Sequence, residues 1–584
     1  MDYIFRDIIT FNQALGIIDE NIEKMNEMET IDLKGSNGRI TCSDVYSINN
    51  LPIYSRSQVD GYAIISGDTK NADKETPVKL LLSGETNIGE PAILHPGHGK
   101  CIKVPTGGTI PVYADAMIPF EDAEIVNDGI IIKKPIPVFN EISNSGIDVT
   151  RNEKIINKYT MIEPRHIAVI ASTGSNEINV FVKIKIGIVS TGTELLYPGD
   201  PYIEGKIYES NGLSIESELS KYSTFSIKNY GIIEDDNDSI QRAILKSINE
   251  NDITITVGST SAGEHDMVYK ILENLNPGIL FHGLKVRPGK PMVFAKSGEK
   301  VIFGLPGFPV SSMMLLYSIV IPKIFLMYNY NFEYPVIHAR TAEQFNLHRG
   351  NTDLLLVKLL RRNGEYFAYQ VGGDSGSISR IMKSNGFSIF YSNEDHLKKS
   401  SELDVIPFNT SIPEILIYGQ YSPLLNKIPY NINSRSIFIE KSYDDIEESL
   451  EKNEADMYIM NYRNYIKNNN YENLKLKMEY GLIYNVLDYN SISVMYEDSG
   501  LYETSRDKIK KCDNIIYLDN NEIINDYVKN KRSDAGITYK CDIDKDIPYE
   551  KLGDIIFYFY INKKSRNYEE LSLSIKTLID NYSN

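Results

Sequence analysis

The sequence predicts a multidomain α/β protein with a parallel sheet at its centre, β-rich modules on either side, and a second α/β portion at the end. Three observations lead there. At 584 residues the chain is too long for one hydrophobic core and should divide into domains of about 100–200 residues. From Lys183 the pattern alternates strand, loop and helix, the rhythm of strands joined by crossover helices. Beyond residue 411 the composition shifts to Tyr, Asn, Lys and Ile while glycine thins out.

Asp7 to Met28 carries apolar residues at helical spacing (Ile8, Ile9, Phe11, Ala14, Leu15, Ile18) and predicts a helix. From Ile40 to about Arg151 short β-like runs, V-K-L-L-L, K-C-I-K-V and G-I-I-I-K, are punctuated by Gly and Pro; Pro164 to Ala171 turns helical again. Residues 1–40 with 150–182 are therefore expected as a helical and linking domain, and 41–149 as a β-rich one. Within 183–330, K-I-K-I-G-I-V-S reads as a buried strand, Ser214 to Tyr222 as a helix and F-S-I-K-N-Y-G-I-I as a strand. D-S-I-Q-R-A-I-L-K-S-I is the next helix and D-I-T-I-T-V the next strand. Residues 331–410 are expected to be β-rich. Residues 411–584 carry the runs S-I-F-I-E, D-M-Y-I-M, N-I-I-Y-L and F-Y-F-Y-I, which suggest a further α/β domain without an internal sequence repeat.

A hydrophobic content of 42% and a charged content of 24% are those of a soluble globular protein. The net charge of −18 argues against a nucleic-acid partner while leaving room for a local basic pocket. Cys42, Cys101, Cys512 and Cys541 lie far apart with no CxxC pair, so neither a disulfide framework nor a zinc site is expected, and a reducing cytoplasm is. The start, M-D-Y-I-F-R-D-I-I-T-F, has no long apolar core and does not read as a signal peptide. The most apolar window, M-M-L-L-Y-S-I-V-I-P-K-I-F-L-M-Y, falls short of ~20 residues and is broken by Pro322-Lys323. It predicts a core helix, and no membrane span is expected.

Parallel sheets bind ligands just past the carboxyl ends of their strands. Two turns of small residues stand at such ends. In G-I-V-S-T-G-T-E-L, Ser190, Thr191, Gly192 and Thr193 can offer N–H groups and hydroxyls to an anion. Glu194 is either a helix-start carboxylate or a ligand to a metal lying between it and a phosphate. V-G-S-T-S-A-G-E-H-D repeats the arrangement with Ser261, Gly263 and Asp266; alone, Asp266 would read as a first-turn helix residue. G-L-K-V-R-P-G-K-P-M-V-F looks like a phosphate loop but is not the Walker pattern: the spacing from Gly283 is one too long and Pro291 replaces the hydroxyl. Lys285, Arg287 and Lys290, stiffened by Pro288 and Pro291, form either an oxyanion site or a solvated face. G-L-P-G-F-P-V-S-S then leads into an apolar helix from Ser311. In the β-rich part, Asp60-Gly61 reads locally as a structural turn, Thr106-Gly107-Gly108 as a flexible one, and Glu121-Asp122 as paired acids.

In order, S-R-S-Q-V-D-G-Y-A, T-G-G-T-I-P, A-D-A-M-I-P-F-E-D, S-T-G-T-E-L, S-A-G-E-H-D, P-G-K-P and G-L-P-G-F-P-V-S resemble the molybdopterin molybdenumtransferase family (MoeA proteins and the gephyrin E-domain) over roughly Asp7 to Phe408. The resemblance implies an elongated homodimer of four-domain subunits, the central one a molybdopterin-binding-like parallel α/β domain, with the active site in a cleft shared with the other subunit. It implies adenylylated molybdopterin and molybdate as substrates, release of AMP, and assistance by Mg²⁺; molybdate and tungstate are too alike in size and charge to separate. Carried onto this chain, Asp60, Glu194 and Asp266 would hold the metal and orient the attacking group. Ser190, Thr191, Gly192, Ser261 and Gly263 would cradle phosphate, with Thr106 nearby. Lys290, Arg287 and Lys285 would draw molybdate and neutralise AMP, and Ser311 and Ser375 would line the oxyanion pocket. Molybdopterin adenylyltransferase and molybdo- or tungstoenzyme acceptors would be the partners.

The chain departs from the family pattern at Gly258-Ser259-Thr260-Ser261, where G-G-V-S is usual, at Arg287 in place of Lys, at Phe308 in place of Asn, and at Gly376 in place of one of two serines. Arg keeps the charge but changes a point ammonium into a planar fork. Two other readings stay open: the preceding adenylylation step, which would consume ATP, and a non-catalytic oxyanion or cofactor sensor. I-L-I-Y-G-Q-Y-S-P-L-L from Ile415 and N-K-R-S-D-A-G-I-T-Y from Asn530 resemble a periplasmic-binding-protein-like domain, which implies either a sensing or delivery role or a structural appendage.

Overall fold

The computed structural model describes residues 8–233, 236–258, 267–419, 434–461, 470–484, 491–495, 514–518, 535–539 and 549–583, together with positions 428, 432, 524, 528, 529 and 533. The chain divides into two compact units, Met1–Glu333 and Tyr334–Asn584.

In the first unit, helix α1 (Phe11–Asn21) starts at a capping box. The Thr10 hydroxyl accepts the Gln13 N–H, and the Gln13 side chain accepts the Thr10 N–H, which satisfies two of the helix's orphan donors. Phe11, Ala14 and Ile18 form its buried face. The helix is shorter than its apolar spacing predicts. The Met25 N–H bonds to the Met327 carbonyl at 2.7 Å and the Lys24 amine to the Leu326 carbonyl at 2.8 Å, so the chain is drawn into an extended path. Met28–Asp32 then pairs antiparallel with Glu177–Phe181, just past α2 (Pro164–Ser172). Between them stands a six-stranded sheet in the order Ala116–Pro119, Gly61–Ile64, Lys100–Val104, Val78–Glu85, Gly129–Ile132, Glu124–Val126. Its core includes Tyr62, Ile64, Leu80, Cys101, Ile118 and Ile130.

The central sheet runs Phe225–Ile233, Ile184–Thr191, Ile253–Val257, Lys300–Leu305, Val293–Ser297, Pro277–His282. The first four strands are parallel, and Val293–Ser297 runs antiparallel to both of its neighbours. The four inner strands are buried on both faces and rich in Ile, Val and Phe. Helices α3 (Asn211–Leu219), α4 (Asn237–Glu250) and α5 (Met267–Glu273) connect them. Val189 packs with Ile240, Ile244 and Ile248 of α4, whereas its neighbour Ser190 meets the start of α3; alternation along a strand places these helices on opposite faces. From Ile184–Thr191 the chain moves to one neighbour and then crosses to the other, so the sheet's switch point lies between Ile184–Thr191 and Ile253–Val257. The apolar window forms α6 (Pro309–Leu315), a widened π turn over Leu316–Val320, and α7 (Ile321–Leu326). The wider turn accommodates the missing N–H of Pro322. The span Pro309–Leu326 is long and apolar enough to cross a membrane, and 72% of it is buried inside the protein.

The second unit opens with a closed five-stranded barrel: Asn351–Arg362, Glu365–Gln370, Ile337–Thr341, Glu402–Pro407 and Gly386–Ser392, the last pairing back onto the first. Leu355, Val357, Ala368 and Val405 fill it. The remaining residues build an eight-stranded sheet in the order Ser436–Glu440, Ile415–Gly419, Met457–Asn461, Tyr549–Asn562, Tyr471–Tyr484, Ala535–Tyr539, Ser491–Met495, Asn514–Leu518. This order is a palindrome. Each half contributes three short parallel strands in the arrangement second, first, third, followed by a 14-residue strand that pairs with the other half. Residues 415–484 and 491–562 thus repeat one topology, although their sequences show no repeat.

Candidate active site at the carboxyl edge of the central sheet

The register aligns Ser190 with Val257 and Val257 with Leu305, so Thr191, Gly258 and Pro306 leave the sheet side by side at its switch point. The Gly258 N–H donates to the Leu305 carbonyl at 3.2 Å. Gly258 has φ +92°, and a side chain there would stand 2.4 Å from the Thr191 carbonyl oxygen; only glycine fits. Asn211, at the first turn of α3, donates its amide to the Gly307 carbonyl at 2.7 Å. Three strand ends and one helix start therefore bound one edge.

Glu209 holds that edge, and the sequence reading passed over it. Only 7% exposed, its carboxylate accepts the Gly212 N–H at 2.5 Å and the Leu213 N–H at 3.4 Å. It also accepts the Ser190 hydroxyl at 3.3 Å. A side chain at Gly212 would lie 2.6 Å from that hydroxyl, which is why the helix begins with Asn-Gly. The acid in Y-E-S-N-G, placed before an amphipathic helix, was the available signal. The Ser190 hydroxyl, buried and committed to Glu209, points away from the role of a free phosphate ligand. The turn after Thr191 keeps its own backbone groups. There Glu194 is exposed, its carboxylate folded back over Gly192. The loop closes by pairing Leu195–Leu196 with Ile207–Tyr208, and the Lys206 amine donates to the Thr193 carbonyl, placing a further cation at the turn.

The basic hairpin is closed by the Gly283 N–H to the Met292 carbonyl at 2.9 Å and the Leu284 N–H to the Lys290 carbonyl at 2.8 Å. The segment before α1 pairs with it through Ile9, which donates to Gly283 and accepts from Lys285. Val286 and Gly289 are buried, while Lys285, Arg287 and Lys290 are exposed, so the three cations share the solvent side of one stiff loop. Ser311 is buried in the first turns of α6.

Asp60 and Thr106 come together in the β-rich sheet: Asp60 Oδ1 accepts the Thr106 N–H at 2.8 Å and the Asp60 carbonyl accepts the Phe120 N–H at 3.1 Å. The Asp60 Oδ2 atom has no bond among the described residues and faces outward on an exposed side chain. Glu121 and Asp122 lie on the surface, Asp122 paired with Lys134 at 2.8 Å. Ser375 belongs to the second unit, half-buried ahead of the Ser379–Lys383 helix. Ser261, Gly263 and Asp266 lie outside the described residues. Asp60 and Glu194 are hard oxygen donors of the kind Mg²⁺ takes, but no three His, Cys, Asp or Glu side chains gather as a metal set among the described residues.

Residues 9–174 match the MoeA N-terminal region (domain I and II), 187–325 the family described as "Probable molybdopterin binding domain", and 338–408 the MoeA C-terminal region (domain IV). The chain is 26% identical over 412 residues to the molybdopterin molybdenumtransferase of Haemophilus influenzae, covering 69% of this chain and 99% of that one. It is 27% identical over 376 residues to the enzyme of the same name from Bacillus subtilis, covering 63% and 87%. A crystal structure of a molybdopterin biosynthesis MoeA protein from Pyrococcus horikoshii superposes with a TM-score of 0.62 at 27% identity, covering 69% of this chain and all of that one.

Proposed function

Because the chain belongs, through residues 9–408, to the MoeA family of molybdopterin molybdenumtransferases and so works in molybdenum cofactor biosynthesis, we propose that it inserts molybdate or tungstate into adenylylated molybdopterin with release of AMP. The observation that carries this reading is the carboxyl edge of the central sheet, where Gly258 and Gly307 leave a floor free of side chains between Thr191 and the start of α3. A phosphoanhydride needs such backbone groups for its oxygens and cations for the charge that AMP carries away. The backbone of 191–194 would bind the phosphates, and Lys285, Arg287 and Lys290 would attract the metal oxyanion and offset the charge on AMP. Asp60, held by Thr106, would orient the attacking oxygen through its outward Oδ2. With Glu194 and Asp266 it would also bind Mg²⁺, which would supply charge neutralisation at the phosphates.

We further take the working form to be a cytoplasmic homodimer that receives its substrate from an adenylyltransferase and delivers its product to molybdo- or tungstoenzymes. The test is AMP release from adenylylated molybdopterin by the purified chain, with molybdate and tungstate in parallel and with or without a chelator. AMP release dependent on oxyanion and divalent ion supports insertion. ATP consumption would point to adenylylation, and oxyanion binding without AMP release to a sensor. Lys290→Ala should lower the rate on the order of 10²–10³-fold, as for other preorganised charges.

A further inference from the structure

The opposite, amino-terminal end of the central sheet holds a cavity of about 560 Å³. One wall is formed by Met25, Glu27, Glu29 and Arg39, and the other by the residues that open the parallel strands, among them Lys183, Lys185, Ser226, Asp252 and Lys300. It lies across the sheet from the edge proposed for catalysis, because residues 183–185 and 252 enter strands whose far ends are Thr191 and Val257.

Most of the acids here are already committed. Glu29 pairs with Arg39 at 2.5 Å. Asp252 pairs with Lys300 at 3.0 Å and also accepts the Lys185 N–H at 2.9 Å. The cations are only partly so. Arg39 is only 4% exposed, yet its two hydrogen bonds, to Glu29 and to the Phe181 carbonyl, both come from Nη2. Its Nε is buried without an acceptor, and among the described residues Nη1 makes no bond either. Within the same set the amines of Lys183 and Lys185 have no ion-pair partner, and Glu27 is the one lining carboxylate left unpaired. Nε is sealed from solvent, so Nη1 is the guanidinium donor open to a ligand, and a largely buried guanidinium gains from an acceptor there.

We propose that this cavity is a binding site for a phosphate monoester of mononucleotide size, distinct from the catalytic edge. Two unpaired amines against one unpaired carboxylate, with the remaining donors of the Arg39 fork beside them, suit an anionic group. The volume is that of a small-molecule pocket, about 300–1,000 Å³, rather than of a bare oxyanion. Glu27 and the Ser226 hydroxyl, which also line the cavity, can accept from and donate to ligand hydroxyls. Because one wall belongs to residues 25–39 and the other to the central sheet, a bound ligand clamps the two together.

Amine-reactive labelling of the full-length protein, read lysine by lysine by mass spectrometry, tests this with AMP and with inorganic phosphate as probes. Lys285 and Lys290 on the basic hairpin serve as internal comparators, so binding at the catalytic edge is read separately. The expected result is several-fold slower labelling of Lys183 and Lys185 with AMP. The Arg39→Lys variant, which keeps the charge but loses the fork, should weaken that protection. Protection by inorganic phosphate as well would assign recognition to the phosphate group alone; protection by AMP only would assign it to the whole ester. Equal labelling rates with and without AMP overturn the proposal. Lysines already unreactive without ligand do so too, since another surface would then cover them. Failure of molybdate insertion would leave this result standing.

Discussion

The two large sheets of this protein both join parallel strands to antiparallel ones, yet they are held in opposite ways. At the central sheet's carboxyl edge, small residues approach one another closely, and a buried carboxylate ties a helix start to a strand. The C-terminal sheet is instead fastened to the barrel of its own unit by bulk. Leu360 and Tyr369 of the barrel pack with Leu416, Tyr418, Ile437, Tyr458, Tyr471 and Tyr560. The Lys358 amine donates to the Phe438 carbonyl and Arg362 to that of Glu454. The first arrangement leaves backbone groups open to a ligand; the second consumes its surface in packing. A ligand site and a docking seam thus differ in residue size before they differ in chemistry.

The sharpest way to break that contrast is to add one methyl group at the open edge. Gly258→Ala forces a positive φ on an L-residue and drives its Cβ to 2.4 Å from the Thr191 carbonyl. The expected loss is roughly 4 kcal/mol of first-unit stability, at the upper end for single substitutions. Urea denaturation of Gly258→Ala that matched the wild type would remove the close-packed edge from the account.

At the docking seam the corresponding weak point is a charge. Burial lowers the Lys358 amine from 10.5 to about 8, so between those values the unfolded chain holds a proton the folded one has shed. Stability contributed at this site therefore rises with pH from about 8 to 10.5, and the burial penalty is fully present below 8. The shift corresponds to roughly 3 kcal/mol. Lys358→Met, which keeps the length without the charge, should be more stable than the wild type at pH 7 and lose most of its advantage by pH 10.5. Parallel pH slopes for the two proteins would show that the amine carries no such penalty.

Within the central edge, Glu209→Gln keeps the shape but discards the charge that faces two helix N–H groups and the Ser190 hydroxyl. Charge-assisted bonds of this kind contribute about 1.5–3 kcal/mol, so a loss of that order is expected. The substitution should also lower AMP release by loosening α3 against the strand ends. A variant with wild-type melting and rate would make Glu209 incidental.

Legibility in the sequence followed the same division. Strands buried on both faces announce themselves as runs of β-branched and apolar residues, and I-T-I-T-V became the fully buried strand Ile253–Val257. Helix α1 ends earlier than its spacing predicts because local spacing carries no trace of the bonds from Met25 to Met327 and from Lys24 to Leu326, partners 302 residues away along the chain. Glu209 was passed over because one acid before Ser-Asn-Gly looks like surface until the fold buries it. The two halves of the C-terminal sheet share a path but not residues: I-L-I-Y-G and S-I-S-V-M occupy equivalent strands, and apolar alternation alone cannot mark them as copies. Asp60 and Thr106, 46 residues apart, were paired only through family resemblance; the 2.8 Å bond between them follows from neighbouring strands that no local pattern aligns.

The smallest expected effect tests the seam's packing apart from its polar contacts. Tyr418 and Tyr369 share a hydrogen bond inside the aromatic cluster, and burial pushes the Tyr418 hydroxyl up to about 12. Tyr418→Phe keeps the ring and deletes that partner, leaving the Tyr369 hydroxyl to be satisfied otherwise; the cost should be about 0.5–1.5 kcal/mol. Tyr418→Ala, which also empties the ring's place, should cost about 3–5 kcal/mol. If the seam is held by bulk, the ratio between the two variants must be large. A Tyr418→Phe loss equal to that of Tyr418→Ala would mean that the hydroxyls, and not the rings, fasten the last domain to the barrel.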